Sequence, residues 1–430
     1  MTAPWAALVA TTGEADVPGL LFTLAAVLAA TKLLGALARR IGQPAVLGEL
    51  VAGIALGGSV LRVLDPSLPV LHVLAELGAL VLLFEVGLET DLQALRRVGG
   101  AAFTVGAAGI ALPFAGGLVV AHLFGASWLT SLVMAAALTA TSIGISARVL
   151  GDLGRLKTAE GQVVLGAAVL DDIVGLVILA VVGSLVAGEA ITPLGVTRTT
   201  LVAGGFVVGA IVVGALLMPP LMAAVARLRV AGSVGVAALV FVFVNAALAA
   251  RVGSAMIIGA FVAGLVLHRT PQRQEIERWT TSLGHVLVPI FFAAVGAQVN
   301  LRAMASPSAL ALGGALIVVA VVGKVAAGYA PWWFKGRKLL VGVAMVPRGE
   351  VGLIFAQMGA AAGVLAGGEF GAVVAMVVVT TFLTPPLLGA VAGPALEGRA
   401  ADDPTPGLDE LISEGAPRPP RATQARRRLS

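Results

Sequence analysis

LGELVAGIAL, residues 47–56, is answered 211 residues later by IGAFVAGLVL, residues 258–267. Gly48 aligns with Gly259, and Val51-Ala52-Gly53 aligns with Val262-Ala263-Gly264. A second echo lies just downstream: FEVGLETDL (84–92) and AAVGAQVNL (293–301) share a Val-Gly pair, at a shift of 209. One such match means little in a chain dominated by Ala, Val, Gly and Leu. Two at nearly the same shift point to an internal duplication.

The setting of the two copies is membrane. Of 430 residues, 58% are hydrophobic and only 12% charged, about half the charged share of a soluble domain. Apolar stretches long enough to cross a bilayer fall at about 17–37, 44–62, 73–89, 99–124, 128–150, 158–187 and 199–228, then 231–250, 253–268, 280–298, 307–334, 338–365 and 368–394. The expected architecture is all-α and polytopic, with about 13 transmembrane helices. Residues 1–16 lack the basic start of a secretory signal, so the first span is expected to be retained. After residue 395 the chain turns charged and Pro-rich, which reads as a disordered tail. With no cysteine, disulfides and thiolate metal sites are excluded, and the four scattered histidines give no metal centre.

Lys and Arg set the orientation. Loops on the side of the C-terminus hold fifteen, whereas the opposite loops hold Arg62, Arg198, Arg251 and Arg302. The N-terminus is therefore expected outside and the C-terminus in the cytoplasm. The +5 net charge reflects topology, not a nucleic-acid partner, because the basic residues lie between apolar spans. The two copies are seven spans apart, an odd number, so the second must run upside down. That is the inverted-repeat plan of secondary transporters, whose sites lie near the midplane. Repeat one covers about 44–187, repeat two about 253–394, with 199–228 as a linker helix. The plan pairs span five with span twelve, and each is interrupted. Thr139, Thr141, Ser142, Gly144 and Ser146 weaken the first, and Pro347 and Gly349 the second. Broken helices at this depth are tolerated only where they line protein or a wet cavity.

Few ionisable residues lie inside the spans: Lys32, Glu49, Glu76, Glu85, Asp171, Asp172, Lys324, Arg348 and Glu350. Glu89, Asp91 and Arg148 read as markers of helix ends. Each aspartate at a helix centre costs about 2.5–3.5 kcal/mol, so Asp171 and Asp172 need a partner. Lys324 is at a comparable depth, roughly 20 Å into its span. Adjacent helical residues point about 100° apart, so one aspartate is expected to pair with the lysine while the other faces the cavity. We assign Asp171 to Lys324 and Asp172 to the cavity, although periodicity alone leaves the reverse open, and a static ion pair is the alternative role. Glu76, Arg348 and Glu350 are expected to neutralise one another and the helix breaks.

These segments resemble the monovalent cation:proton antiporter-2 family, and within it the bacterial electrogenic sodium/proton antiporters. The likeness rests on PAVLGELVAGIALGG (44–58), LLFEVGLETDL (82–92), TATSIGISARVLGDLG (139–154), LDDIVGL (170–176), PIFFAAVGAQVNL (289–301) and VPRGEVGLI (346–354). It implies the sodium/proton antiporter fold, with two crossed broken helices and a mobile core. Asp172 would be the ion-binding carboxylate, and Asp171 the partner of Lys324. Asp172, Asp171 and Thr141 would form the ligand set for the transported cation, with Thr141 and Ser142 at the crossover. The family further implies a homodimer joined through spans one and eight, in the bacterial cytoplasmic membrane. No cofactor is expected, only sodium (or lithium) and protons as cargo. The glutathione-gated potassium relatives usually differ before the second aspartate and carry a nucleotide-binding domain, for which this tail is too short. A potassium/proton antiporter is one alternative and a gated cation channel another. The channel is disfavoured by a single acidic pair and no repeated filter loop. No nucleophile–base pair or phosphate loop supports an enzyme.

Overall fold

The computed structural model describes residues 17–65, 68–90, 92–186, 193–228, 230–299, 307–365 and 367–392. The expected N-terminal extension and C-terminal tail lie outside the described residues. Each predicted stretch holds a helix or a broken pair of helices. In lipid a backbone can satisfy its polar groups only within the segment. The first half comprises α1 (Val17–Arg40), α2 (Ala45–Leu56), α3 (Pro69–Glu89), α4 (Leu92–Arg97), α5 (Gly99–Leu123), α6 (Trp128–Ala137), α7 (Ile143–Asp152) and α8 (Ala159–Val186). The second comprises α9 (Pro193–Arg227), α10 (Ser233–Arg251), α11 (Met256–Leu267), α12 (Arg273–Ala297), α13 (Pro307–Tyr329), α14 (Lys338–Ala344), α15 (Glu350–Ala361) and α16 (Gly367–Ala392). Among the described residues, nine of these are long and apolar enough to cross a membrane, so the chain is a multi-pass membrane protein. The short α4 was not foreseen: LQALRR has too few apolar residues to register as a span. Conversely, α5 and α12 run straight through Pro113 and Pro289. Pro113 is accommodated because it packs against Gly323 of α13.

The helices sort into two packed groups. In one, α3 lies against α11 and α12, α2 against α1 and α12, and α10 against α11. In the other, α5 packs on α6, α8 and α13, α13 on α14 and α16, and α15 on α6 and α16. The long α9 touches both, through α11 and α8. The first group is knit by glycines that let backbones touch, and the contacts are reciprocal. Gly53 of α2 meets the Ala293 carbonyl of α12, and Gly264 of α11 meets the Phe84 carbonyl of α3. Gly87 meets the Phe261 carbonyl and Gly296 the Leu50 carbonyl, while Gly48 and Gly259 press on the carbonyls of Leu34 and Asn245. In all three pairs the contacted residues differ by the same shift, 209 or 211, that relates the sequence echoes.

A methyl group at Gly53 would be driven into rigid backbone. Gly53→Ala should therefore cost about 1–3 kcal/mol or more, seen as a lower melting midpoint of the purified protein in detergent. At Gly58 nothing lies within 4 Å of an added Cβ, so Gly58→Ala should melt with the wild type. Equal midpoints for the two variants would contradict this packing.

Candidate ion-binding site

Two half-helix pairs meet in the second group. α6 stops at Ala137, and after a turn at Leu138 and Thr139 the chain leaves helix until Ser142, the N-cap of α7. α14 stops at Ala344, and after a turn at Met345 the chain leaves helix until Gly349, the N-cap of α15. Local chemistry explains both breaks. Pro347 has no N–H and disfavours a helical residue before it. The Thr139 hydroxyl donates to the Ala136 carbonyl at 2.7 Å, competing with the next helical turn. The two non-helical segments cross in contact. The Ser142 amide donates to the Pro347 carbonyl at 2.8 Å, and the Ser146 hydroxyl to the Ala344 carbonyl at 2.5 Å. A Cβ at Gly349 would sit 2.9 Å from the Ser142 side chain, so this crossing needs glycine.

Helix ends at membrane depth leave carbonyls that need donors. Arg348, fully buried, supplies them: its Nη1 donates to the carbonyls of Ala140 at 2.9 Å and Thr139 at 3.3 Å. Its own carbonyl accepts from the Thr381 hydroxyl at 2.5 Å. Its positive charge thus faces the negative end of the α6 dipole.

Beside the crossing, Lys324 of α13 donates from Nζ to Asp171 Oδ2 of α8 at 2.6 Å. The Thr141 hydroxyl donates to the same oxygen at 2.6 Å. Lys324 is fully buried and Asp171 1% exposed. Gly109 of α5 makes room for the lysine, since a Cβ there would lie 3.1 Å from Nζ. Asp171 Oδ1 is buried with no hydrogen-bond partner, a spare acceptor. Asp172, next along α8 and 8% exposed, lies close enough to act electrostatically on Lys324, as does Arg348. The structure therefore brings Asp171, Asp172, Lys324, Thr141, Ser142 and Arg348 together around one crossing. An acid pair, an ammonium and freed helix ends can hold protons or a monovalent cation, and exchange one for the other.

Glu76 stands apart. Its carboxylate pairs with His72, one turn earlier on α3, at 3.2 Å, and 43% of its side chain is exposed. It shares with Arg348 a cavity of about 360 Å³, whose lining also includes Ser254, Phe291, Gln298 and Gly349. The Glu350 side chain lies outside the described residues. Thr381 escaped the sequence reading, although a signal existed: the 209-residue shift carries Asp171-Asp172 onto Thr380-Thr381.

The family described as "Sodium/hydrogen exchanger, transmembrane" matches residues 24–392. The chain is 38% identical to the high-affinity Na(+)/H(+) antiporter NhaS3 of Synechocystis sp., covering 91% of this chain and 94% of that protein. It is 36% identical to the Na(+)/H(+)-K(+) antiporter GerN of Bacillus cereus, covering 85% and 95%. The solved structure of the sodium proton antiporter MjNhaP1 from Methanocaldococcus jannaschii superposes with a TM-score of 0.62, covering 88% of this chain and 100% of that one. At 16% identity that likeness speaks for the fold. With a family match spanning nearly every helix and relatives aligned almost end to end, this chain belongs to the sodium/hydrogen exchanger family.

Proposed function

We propose that this protein exchanges sodium or lithium for protons by alternating access, with Asp172 as the carboxylate that binds cation or proton. The observation that carries this is the Asp171–Lys324 pair at 2.6 Å beside the helix crossing, with Asp172 adjacent. A buried pair of this kind is costly unless well bonded, and the Thr141 hydroxyl bond to Asp171 lowers that cost. In the proton-loaded state Asp172 carries one proton and Lys324 another, its charge balanced by Asp171. A cation arriving at Asp172 displaces the first proton. It also attracts Asp171, using the spare Oδ1, so the ammonium loses its counter-ion and releases the second. Two protons against one cation move one net charge per cycle.

The reciprocal glycine contacts support a two-fold relation between the repeats, because residue i of one copy meets j of the other and j meets i. Corresponding spans lie seven apart, an odd separation, so that axis falls in the membrane plane and the repeats are inverted. Within this reading Arg348 and the helix ends are charge compensation, joined by Glu350 in the same role while Glu76 pairs with His72 instead, and spans one and eight join two copies in a homodimer. The Lys/Arg distribution supports an outside N-terminus and cytoplasmic C-terminus in the bacterial cytoplasmic membrane.

Proteoliposomes with an imposed sodium gradient and no pH gradient test the reading. The exchanger should acidify or alkalinise the lumen according to the gradient's sign, with sodium and lithium effective. A gated channel would pass current without building a proton gradient. Potassium acting as well as sodium would favour the potassium/proton alternative, for which the Na(+)/H(+)-K(+) antiporter GerN gives precedent.

A further inference from the structure

The two helix groups meet along a seam whose ends differ. At one end, residues of both groups line the 360 Å³ cavity: His72, Glu76, Phe291 and Gln298 from one, Arg348 and Gly349 from the other. At the opposite, Arg-rich end ion pairs bridge the seam. Arg148, on α7 of the broken-helix group, reaches across to Glu49 on α2, Nη2 to Oε1, at 3.9 Å. Its Nε lies 3.4 Å from Asp152, one turn on along its own helix. Lys157 makes a second crossing to Glu89 of α3, at 3.8 Å, but both are exposed by a third or more, where ion pairs contribute little.

Arg148 is the common partner of several carboxylates. Glu49, Glu85 of α3 and Asp152 all feel its charge, with Glu89 and Glu277 bearing on Glu85, and Lys32 and Arg39 of α1 on Glu49. Glu49 is 3% exposed, yet its Oε2 has no hydrogen-bond partner, and neither has Glu85 Oε1. Carboxylates this enclosed are not surface decoration. Removing the arginine would leave Asp152 on one side of the seam and Glu49 and Glu85 on the other without the charge they share.

We propose that Arg148 is a positioning residue for transport: its pairing with Glu49 clamps the broken-helix group to α2 and so holds the seam shut at the Arg-rich end and open at the cavity. The clamp acts on the site directly, because α7 runs the ten residues from Ile143 to Asp152 and starts at the crossing itself. With its side chain 26% exposed, Arg148 can leave Glu49 for water when the groups slide and the seam opens. This rests on alternating access, in which movement of one packed group against another exchanges the open end.

The chain has no cysteine, so a single introduced thiol reports accessibility without background. Val295, half-buried on the cavity wall, is the reporter site. Purified full-length Val295→Cys protein in detergent would be labelled with a membrane-impermeant maleimide. Adding Arg148→Gln or Glu49→Gln should shift the open–closed equilibrium by up to about fivefold, the effect of losing one partly exposed ion pair, and slow labelling in step with the lost open population. Arg148→Lys, which keeps a positive charge among Glu49, Glu85 and Asp152, should keep most of the rate. Monodisperse elution checks folding, and Glu49→Gln is the milder lesion if Arg148→Gln fails that check. Unchanged labelling in a folded variant, or Arg148→Lys labelling as slowly as Arg148→Gln, overturns the clamp. Labelling requires no transport, so loss of the clamp and loss of the exchange reading are seen separately.

Discussion

Asp172→Asn should abolish sodium-driven proton movement in proteoliposomes while leaving the protein folded. The amide keeps the size of the side chain but can neither neutralise a cation nor release a proton. Losing a charge-assisted contact at a buried site costs about 1.5–3 kcal/mol in cation affinity alone. With proton coupling also lost, exchange should fall about a hundredfold or more. Stability should hold or rise, because an amide in place of a carboxylate removes a desolvation cost. The lesion is specific: Asp171→Asn removes the negative charge to which Lys324 and Thr141 donate, and should instead lower both stability and turnover. Substantial exchange by folded Asp172→Asn protein would assign the carrier role elsewhere.

Lys324→Gln should separate stoichiometry from transport. Without an ammonium to deprotonate, exchange should become electroneutral, one proton per cation, and insensitive to an imposed membrane potential. The same change strands Asp171 in a site where both partners are buried. Breaking such a pair costs about 3–5 kcal/mol, so the melting midpoint should drop sharply. Combining it with Asp171→Asn should recover much of that loss, because two neutral groups can share a hydrogen bond where one bare charge cannot. Potential-sensitive exchange in Lys324→Gln would show that the lysine is a structural counter-ion and nothing more.

How much of this was legible in the sequence depended on whether the signal was local. Spans showed because twenty apolar residues are needed to cross lipid, and every predicted stretch contains a helix or a broken pair. The breaks showed because Pro347 and the Thr139–Ser142 cluster are local helix breakers. Asp171 and Lys324 could be paired on paper since two opposite charges at matching depth in oil have few other choices. What stayed hidden depended on which helices become neighbours. Arg148 looked like a marker of a helix end, because an arginine six residues past a break is where a topology signal would sit. Only the packing of α7 against α2 gives it Glu49. Glu76 has the same history with the opposite outcome: depth made it a companion for Arg348, yet His72, four residues away, is its observed partner. Thr381 is uncharged, and polarity alone does not distinguish it from a packing threonine.

Competition between cation and protons is most directly measured as proton release. Purified wild-type protein in weakly buffered detergent solution, given sodium chloride at alkaline pH, should release protons saturably. Choline chloride should release none. In Asp172→Asn the release should vanish, and in Lys324→Gln it should fall to about half, as one of two titrating groups is lost. Sodium binding without proton release in the wild type, or undiminished release from Asp172→Asn, would contradict the account.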